Sequence, residues 1–572
     1  MTNPNQPPQL PERNATSRQR FLAAVDQLAT QLSQRTQRFP APVHRFGLRQ
    51  PKPALVLLAV VTALLVIWMG GQFLSGFFSG LLLLAIFAVY IGSWVLLLKL
   101  RMEQGIKVAK AIVLSAIAFL IVGFIPFLPH LVLLLVENGN TVRRGTKLVR
   151  DVDLQRILTQ RQSEVPASMA RYPLLDIAGI RLPTYLENLG FLFVGSPGSG
   201  KTQTIKRLLA ILKQRPDFRV MVLDRNGELL EAFYQEGLDL LFNPRDARSL
   251  TWNHVSEAME PETIAAALVP DDPKDRFFSE AAKSLLADLY ERCRSNTEVW
   301  EVISTFSLKD LQDFLTGGVS ARYFGGETTG GSVLSTLVNQ MRFYRKLFDD
   351  EGFSFSKWGR SDDPRWVFCS IFEDDAELFK PLYSMAFELM LKGLLSHPDP
   401  EARQMKTAIV IDELGALHPL RSLSRLLSEA RKFLGTAIIG TQTEAQIDRN
   451  YGELDRRTIL QGTATKLILN CRDGQTAEMM ANLIGKQERI DITYGRFRQG
   501  LSTTYAHHEQ IRETHAVMPS QLQALPPLEG YLTISDGTPP ARVKLTAQGY
   551  PKQAVRFLPA ATPNYAPPLP PV

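Results

Sequence analysis

Eight consecutive residues, Gly195, Ser196, Pro197, Gly198, Ser199, Gly200, Lys201 and Thr202, fit the spacing G-x-x-x-x-G-K-[ST] in full. That spacing carries phosphate chemistry. Its glycines let the backbone curl until several N–H groups face the same phosphate oxygens. Lys201 can then reach the β- and γ-phosphates of a nucleotide, and the Thr202 hydroxyl can ligate Mg²⁺. A second set of residues lies far along the chain. Asp412 and Glu413 end the apolar run Ala408 to Ile411. An acid at such a strand end can hold Mg²⁺ through water, and the next acid is placed to polarise an attacking water. This pairing points to hydrolysis rather than transfer to a substrate. Gln442 closes the following apolar run, where a polar group can sense a γ-phosphate or simply act as a turn amide. Arg431 lies between the two runs, in "SEARKFLG", Ser428 to Gly435. It is too far from Asp412 to be assumed local to its own site. It is either a finger donated to a neighbouring subunit or a solvated helix-end cation.

These residues need elements to position them. Phe191 to Val194 reads as a buried strand, and Gln203 to Gln214 carries Ile205, Leu208, Leu209 and Leu212 at helical spacing. The context is therefore strand, loop, helix, as the phosphate motif requires. Strand–helix alternation runs from 186 to 254 and again from 364 to about 485. Between them, Pro261 to Cys293 and Gly330 to Phe348 are helix-like with few strand signals.

The 572 residues suffice for roughly three or four domains. A formal net charge of +7 is compatible with a polyanionic partner without demanding one. Cys293, Cys369 and Cys471 stand far apart. They argue for a reducing compartment and against zinc or a disulfide framework, and read as buried small hydrophobes.

Ala54 to Leu98 has no charged residue and is long enough for two membrane crossings, with a turn at Gly70 to Gly80. A second apolar block, Ala111 to Val136, has only His130 ionisable and is interrupted between Pro126 and Pro129. The blocks start too late and run too long for a cleaved signal peptide. Residues 1–52 and 99–110 are rich in Lys and Arg, which places them in the cytoplasm. Both chain ends are expected there. The block 111–136 must then turn back, as a short kinked hairpin or a re-entrant segment. The alternative is one kinked span with the opposite N-terminal orientation.

The ordered motifs resemble those of the type IV secretion coupling proteins, the TraD-like inner-membrane ATPases of conjugation, whose motor core is shared with FtsK-like DNA pumps. The resemblance spans residues 139 to 546. It rests on "VRRGTKLV", the phosphate motif, "VMVLDRNGELLEAFY" with its Asp-x-x-Gly-Glu, "FNPRDARSLTWN", "IDELGALHPLRSLSRLLSEARKFLG" and "GTQT". It implies an α/β fold: a RecA-like P-loop NTPase core with an inserted all-α domain, preceded by a transmembrane helical region. The expected domains are a polar cytoplasmic segment (1–52), a transmembrane region (53–137), the first part of the core (138–254), the all-α insertion (255–355), the second part of the core (356–548) and a Pro-rich disordered tail (549–572). Lys201, Thr202, Asp412, Glu413, Arg431 and Gln442 fall on the family's nucleotide-site positions. ATP and Mg²⁺ are the implied cofactors, and a homo-hexameric ring the implied assembly. The implied location is the bacterial inner membrane, multi-pass, with the ATPase domain cytoplasmic. The implied function is ATP-driven pumping of single-stranded or relaxase-bound DNA, without sequence preference, into a type IV secretion channel. Two alternatives stand beside it: delivery of protein effectors without DNA, and a docking platform gated by nucleotide. The family usually carries two membrane helices with a sizeable periplasmic loop. Here that loop is short and a second apolar block follows.

Overall fold

The computed structural model describes residues 142–561 apart from 167–170, 273, 351 and 500–501, with backbone alone for 491–509. The expected segments 1–52 and 53–137 and the end of the tail lie outside the described residues. Among the described residues no helix is long and apolar enough to cross a membrane. The chain divides into two units, one of residues 1–141 with 490–512 and one of 142–489 with 513–572. The second unit carries the features that follow.

Its centre is a nine-stranded sheet. The strands are β1 (Phe191–Val194), β2 (Phe218–Arg225), β3 (Leu240–Phe242), β4 (Val367–Ile371), β5 (Lys406–Ile411), β6 (Gly435–Thr441), β7 (Thr465–Ile468), β8 (Glu529–Ile534) and β9 (Ala541–Lys544). They lie in the order β9-β8-β7-β1-β6-β5-β2-β4-β3. All neighbours from β7 to β3 are parallel. β8 and β9 add antiparallel at one edge. A parallel sheet is covered on both faces, so its strands read as unbroken apolar runs. β1, β4 and β6 are accordingly buried at every residue.

Helix α1 (Asp151–Ser163) precedes the core, and α2 (Lys201–Leu212) follows β1. The four apolar residues whose spacing predicts α2 are the ones it buries: Ile205, Leu208, Leu209 and Leu212. α3 (Glu228–Phe233) follows β2. Between β3 and β4 the described residues form no strand. They form α4 (Pro261–Leu268), α5 (Arg276–Arg292), α6 (Asn296–Thr305), α7 (Leu308–Phe314), α8 (Glu327–Met341) and α9 (Phe355–Arg360). Local chemistry sets several of these boundaries. Ser295 caps α6 by accepting from the Glu298 N–H, and Ser307 with Asp310 makes a capping box on α7. The core of this helical part is continuous with one face of the sheet, where Leu285, Leu289 and Leu337 belong to the same cluster as Met221, Leu223 and Val367. The opposite face packs Phe193, Val220 and Val410 against α2 and α3. α10 (Ala376–Leu395), α11 (Leu423–Glu429), α12 (Glu444–Gly462) and α13 (Gly474–Ile484) complete the second half. The three cysteines are free and buried.

One expectation is corrected. The tail expected to be disordered from 549 is docked through residue 561. The N–H groups of Gln553 and Ala554 donate to the Glu231 carbonyl, at 2.8 and 3.2 Å. Lys552 and Arg556 pair with the Glu231 carboxylate, at 3.0 and 2.9 Å. The Phe557 ring packs on Phe372, and Asp246 bridges Pro559. Proline content removes backbone donors and regular ladders. It says nothing about a docking partner hundreds of residues upstream.

Candidate nucleotide site

β1 runs straight into the loop Gly195–Gly200, and α2 starts at Lys201. Gly200 has φ +120°, a value L side chains rarely adopt, and a Cβ there would stand 2.8 Å from Leu545 Cδ1 and 3.1 Å from Leu528 Cδ2. Glycine therefore lets the C-terminal hairpin close over the loop. Three backbone hydrogen bonds fix the loop from three sides. Gly195 N–H donates to the Thr441 carbonyl (3.2 Å), Ser196 N–H to the Asn470 carbonyl (2.7 Å), and Leu528 N–H to the Ser199 carbonyl (3.0 Å). The Lys201 ammonium is buried and donates to the Gly195 carbonyl. Burial pulls its pKa down, opposed by the nearby Glu413 and Asp412 carboxylates.

The strand order brings the distant residues in. β6 lies between β1 and β5, so the ends of all three meet at one edge of the sheet. Thr202 Oγ1 sits 3.3 and 3.4 Å from the two Asp412 carboxylate oxygens across 210 residues of sequence. Burial pushes the Asp412 carboxyl up, against the opposing pull of Lys201 and the Thr202 hydroxyl. Burial likewise raises Glu413, against a hydrogen bond from Gln442. Glu413 Oε1 is buried with no hydrogen-bond partner among the described residues. A buried ammonium, a hydroxyl beside a carboxylate and an orphaned carboxylate oxygen share one edge. Their donor chemistry fits a Mg²⁺-nucleotide: oxygen ligands for a hard cation, a cation for phosphate and a free acceptor for a water. Lys201, Thr202, Asp412, Glu413 and Gln442 are thus brought together.

Arg431 is not. It is exposed, on the turn between α11 and β6. β6 runs from Gly435 to Thr441, so Arg431 lies a strand length, about 20 Å, from the phosphate-loop edge. The Asp-x-x-Gly-Glu motif forms a second tight turn. Asn226 and Gly227 both have positive φ, 72° and 70°. Asp224 is fully buried and accepts from the Leu229 and Leu230 N–H groups at 2.9 and 2.7 Å. Burial pushes its carboxyl up to about 8. It holds the start of α3, while Glu228 pairs with Lys206 of α2 at 2.8 Å.

Sequence reading alone passes over Gly440. A Cβ at this position would stand 2.1 Å from the Asp412 carbonyl oxygen. The glycine is what lets the end of β5 lie flat against β6. The signal was available, because a glycine inside a strand pattern marks a close backbone approach. Asn470, Leu528 and Leu545, which pin and cover the loop, had no such signal.

A family model described as the type IV secretion-system coupling protein DNA-binding domain matches residues 174–546. Among curated proteins, coupling protein TraD of Escherichia coli (strain K12) is 28% identical over 480 residues, covering 79% of this chain and 65% of TraD. The chain thus spans just under two thirds of that relative's length. Among solved structures, the unbound bacterial conjugative coupling protein TrwBdeltaN70 superposes with a TM-score of 0.63 at 22% identity, covering 73% of this chain and 98% of that one. TrwB in complex with the non-hydrolysable ATP analogue ADPNP gives 0.64 at 22% identity, with 74% and 98% covered. TrwB in complex with ADP and Mg²⁺ gives 0.63 at 22% identity, with 73% and 98% covered. At these identities the likeness is one of fold: a RecA-like core with a helical domain.

Proposed function

Because this chain belongs to the type IV secretion-system coupling protein family that the matching DNA-binding domain defines, we propose that it is a membrane-anchored ATPase that moves DNA into a type IV secretion channel. The observation that carries the reading is the contact of Thr202 with Asp412, beside a buried Lys201 and the unpartnered Glu413 oxygen. ATP with Mg²⁺ is the nucleotide this set suits, and TrwB has been solved with an ATP analogue and with ADP and Mg²⁺.

Thr202 and Asp412 are the residues that would hold Mg²⁺, which would supply neutralisation of phosphate charge when bound. Lys201 stabilises charge on the β–γ bridge as that P–O bond breaks. Glu413 orients the attacking water and accepts its proton. Gln442, just past the end of the strand between the two motifs, hydrogen-bonds Glu413 and is placed to sense the γ-phosphate. Arg431, exposed and about 20 Å from its own phosphate loop, serves a neighbour's site in a homo-hexameric ring. DNA is gripped through its phosphates, without sequence preference. The domain boundaries read from sequence up to residue 548, the inner-membrane anchor in 53–137 and two cytoplasmic ends complete the proposal.

The test is ATP hydrolysis by the full-length protein in nanodiscs, with and without single-stranded DNA. Stimulation by DNA, lost in Lys201→Ala, is the expected result. Hydrolysis that ignores DNA and responds to a protein cargo favours effector delivery. Nucleotide binding without hydrolysis leaves a docking platform.

A further inference from the structure

We propose that the segment from Leu545 to Tyr550, directly after β9, walls the base side of the nucleotide site, with the Tyr550 ring as the platform on which the purine stacks. The inference rests on the nucleotide reading of the loop at 195–202. It concerns the part of the ligand that no residue discussed so far touches.

The direction of the ligand follows from the loop. Phosphates lie along the loop and the N-terminus of α2, with the α-phosphate at the Thr202–Gln203 end. The ribose and base must therefore leave past Gln203. The C-terminal segment crosses at that point. Leu545 covers Gly200. Three residues on, the Gln548 N–H donates to Gln203 Oε1 at 3.4 Å. Tyr550 lies two residues further along. Its ring packs on the buried Phe233 ring of α3, with centroids 5.2 Å apart and planes at 57°. Its hydroxyl donates to Gln548 Oε1 at 3.3 Å, holding the two side chains together. Yet Tyr550 is only half-buried and Gln548 is exposed. An aromatic ring backed by a buried aromatic and left half open is a surface for another π-system. Stacking engages a flat face rather than base edges. The wall therefore adds affinity and orientation without choosing between adenine and guanine.

The experiment uses the full-length protein and two ligands, Mg²⁺-ATP and Mg²⁺-tripolyphosphate, titrated by calorimetry. Tripolyphosphate has the charges and lacks the base. Tyr550→Ala should weaken ATP about five- to tenfold, the low end of aromatic–base stacking, and leave tripolyphosphate unchanged. Tyr550→Phe keeps the ring and should keep ATP affinity. Equal weakening of both ligands, or unchanged ATP affinity in Tyr550→Ala, overturns the inference. Lys201→Ala tests the underlying site reading separately, since it must weaken both ligands. A measurement on the unaltered protein guards against a misfolded variant. Photoactivated 8-azido-ATP should label the peptide carrying Tyr550, and labelling confined to other peptides overturns the assignment.

Discussion

Gly440→Ala is a one-carbon change with a calculable consequence. Gly440 sits in β6, buried, with ordinary extended backbone, so the added Cβ costs nothing in conformation. The cost is steric. The Cβ would stand 2.1 Å from the Asp412 carbonyl oxygen, whereas real Cβ contacts essentially never fall below 3.0 Å. The struck atom is backbone, so no side chain can swing aside. β5 and β6 lie inside the sheet, hemmed by β2 and β1, and the pair must part by nearly 1 Å at the end that carries Asp412 and Glu413. Overpacking of this kind costs about 1–3 kcal/mol, a fall of a few degrees in melting temperature. The catalytic loss should be larger. A 1 Å misplacement of reacting groups can cost about 10²-fold in rate. The Thr202–Asp412 contact at 3.3 Å has no slack to absorb it. The phosphate loop follows β1 but is tied to β6 through the Gly195–Thr441 bond, so ATP binding should also fall, though less than turnover. Steady-state ATP hydrolysis, nucleotide titration and thermal melting of the same preparation make the assay. Wild-type turnover with an unchanged melting point would refute the argument that this glycine sets the position of Asp412 and Glu413.

Glu413→Gln should keep ATP binding and slow hydrolysis by orders of magnitude, since the water loses its base; a parallel loss of binding, read by titration, would make Glu413 structural. Arg431→Ala should leave nucleotide affinity intact and remove assembly-dependent hydrolysis, because a cation supplied in trans can be worth about 10³–10⁵ in rate. Mixed with Lys201→Ala, it should recover part of the activity, and full activity of Arg431→Ala alone rules out the finger. Lys466 is buried with its pKa pulled to about 8 by burial, below the ordinary 10.5. Between those values the unfolded chain binds the extra proton, so stability rises with pH through that window and is lost as pH falls through about 8. Lys466→Met should flatten that rise, worth up to about 3 kcal/mol less the lost bonds to the Thr463 carbonyl and Ser535. An equally steep rise in melting temperature between pH 7.5 and 10 in the variant would show that Lys466 is not its source.

Local signals made the centre of the site legible. The phosphate motif is contiguous, its strand and helix have different apolar periods, and an acid pair ending an apolar run marks a strand end. The helical insertion was equally readable from its repeat of apolar positions. What escaped depends on partners distant in sequence. Leu528 and Leu545 cover Gly200 from more than 300 residues downstream, and nothing in their own neighbourhood announces it. The tail misled for the same reason. Its prolines described its stiffness, whereas Glu231, Asp246 and Phe372 decide where it lies. Arg431 stood on a helix-like run in sequence. Its separation from Asp412 along the chain already suggested that it was not local to its own site, and the direction of β6 places it about 20 Å from the phosphate loop.

The position of β1 in the sheet also bears on biosynthesis. The strand that feeds the phosphate loop pairs only with β6 and β7, which the ribosome makes much later. At about 5–20 residues per second, the roughly 240 residues between β1 and β6 take roughly ten to fifty seconds to synthesise. Throughout that interval Phe191, Leu192, Phe193 and Val194 have no strand to pair with, while β2, β3 and β4 can already associate at the other edge. An apolar strand left waiting this long is a ready site for chaperone engagement, and in its absence for aggregation. Nascent chains arrested before β6 should therefore associate strongly with a holdase and release it once β7 has emerged.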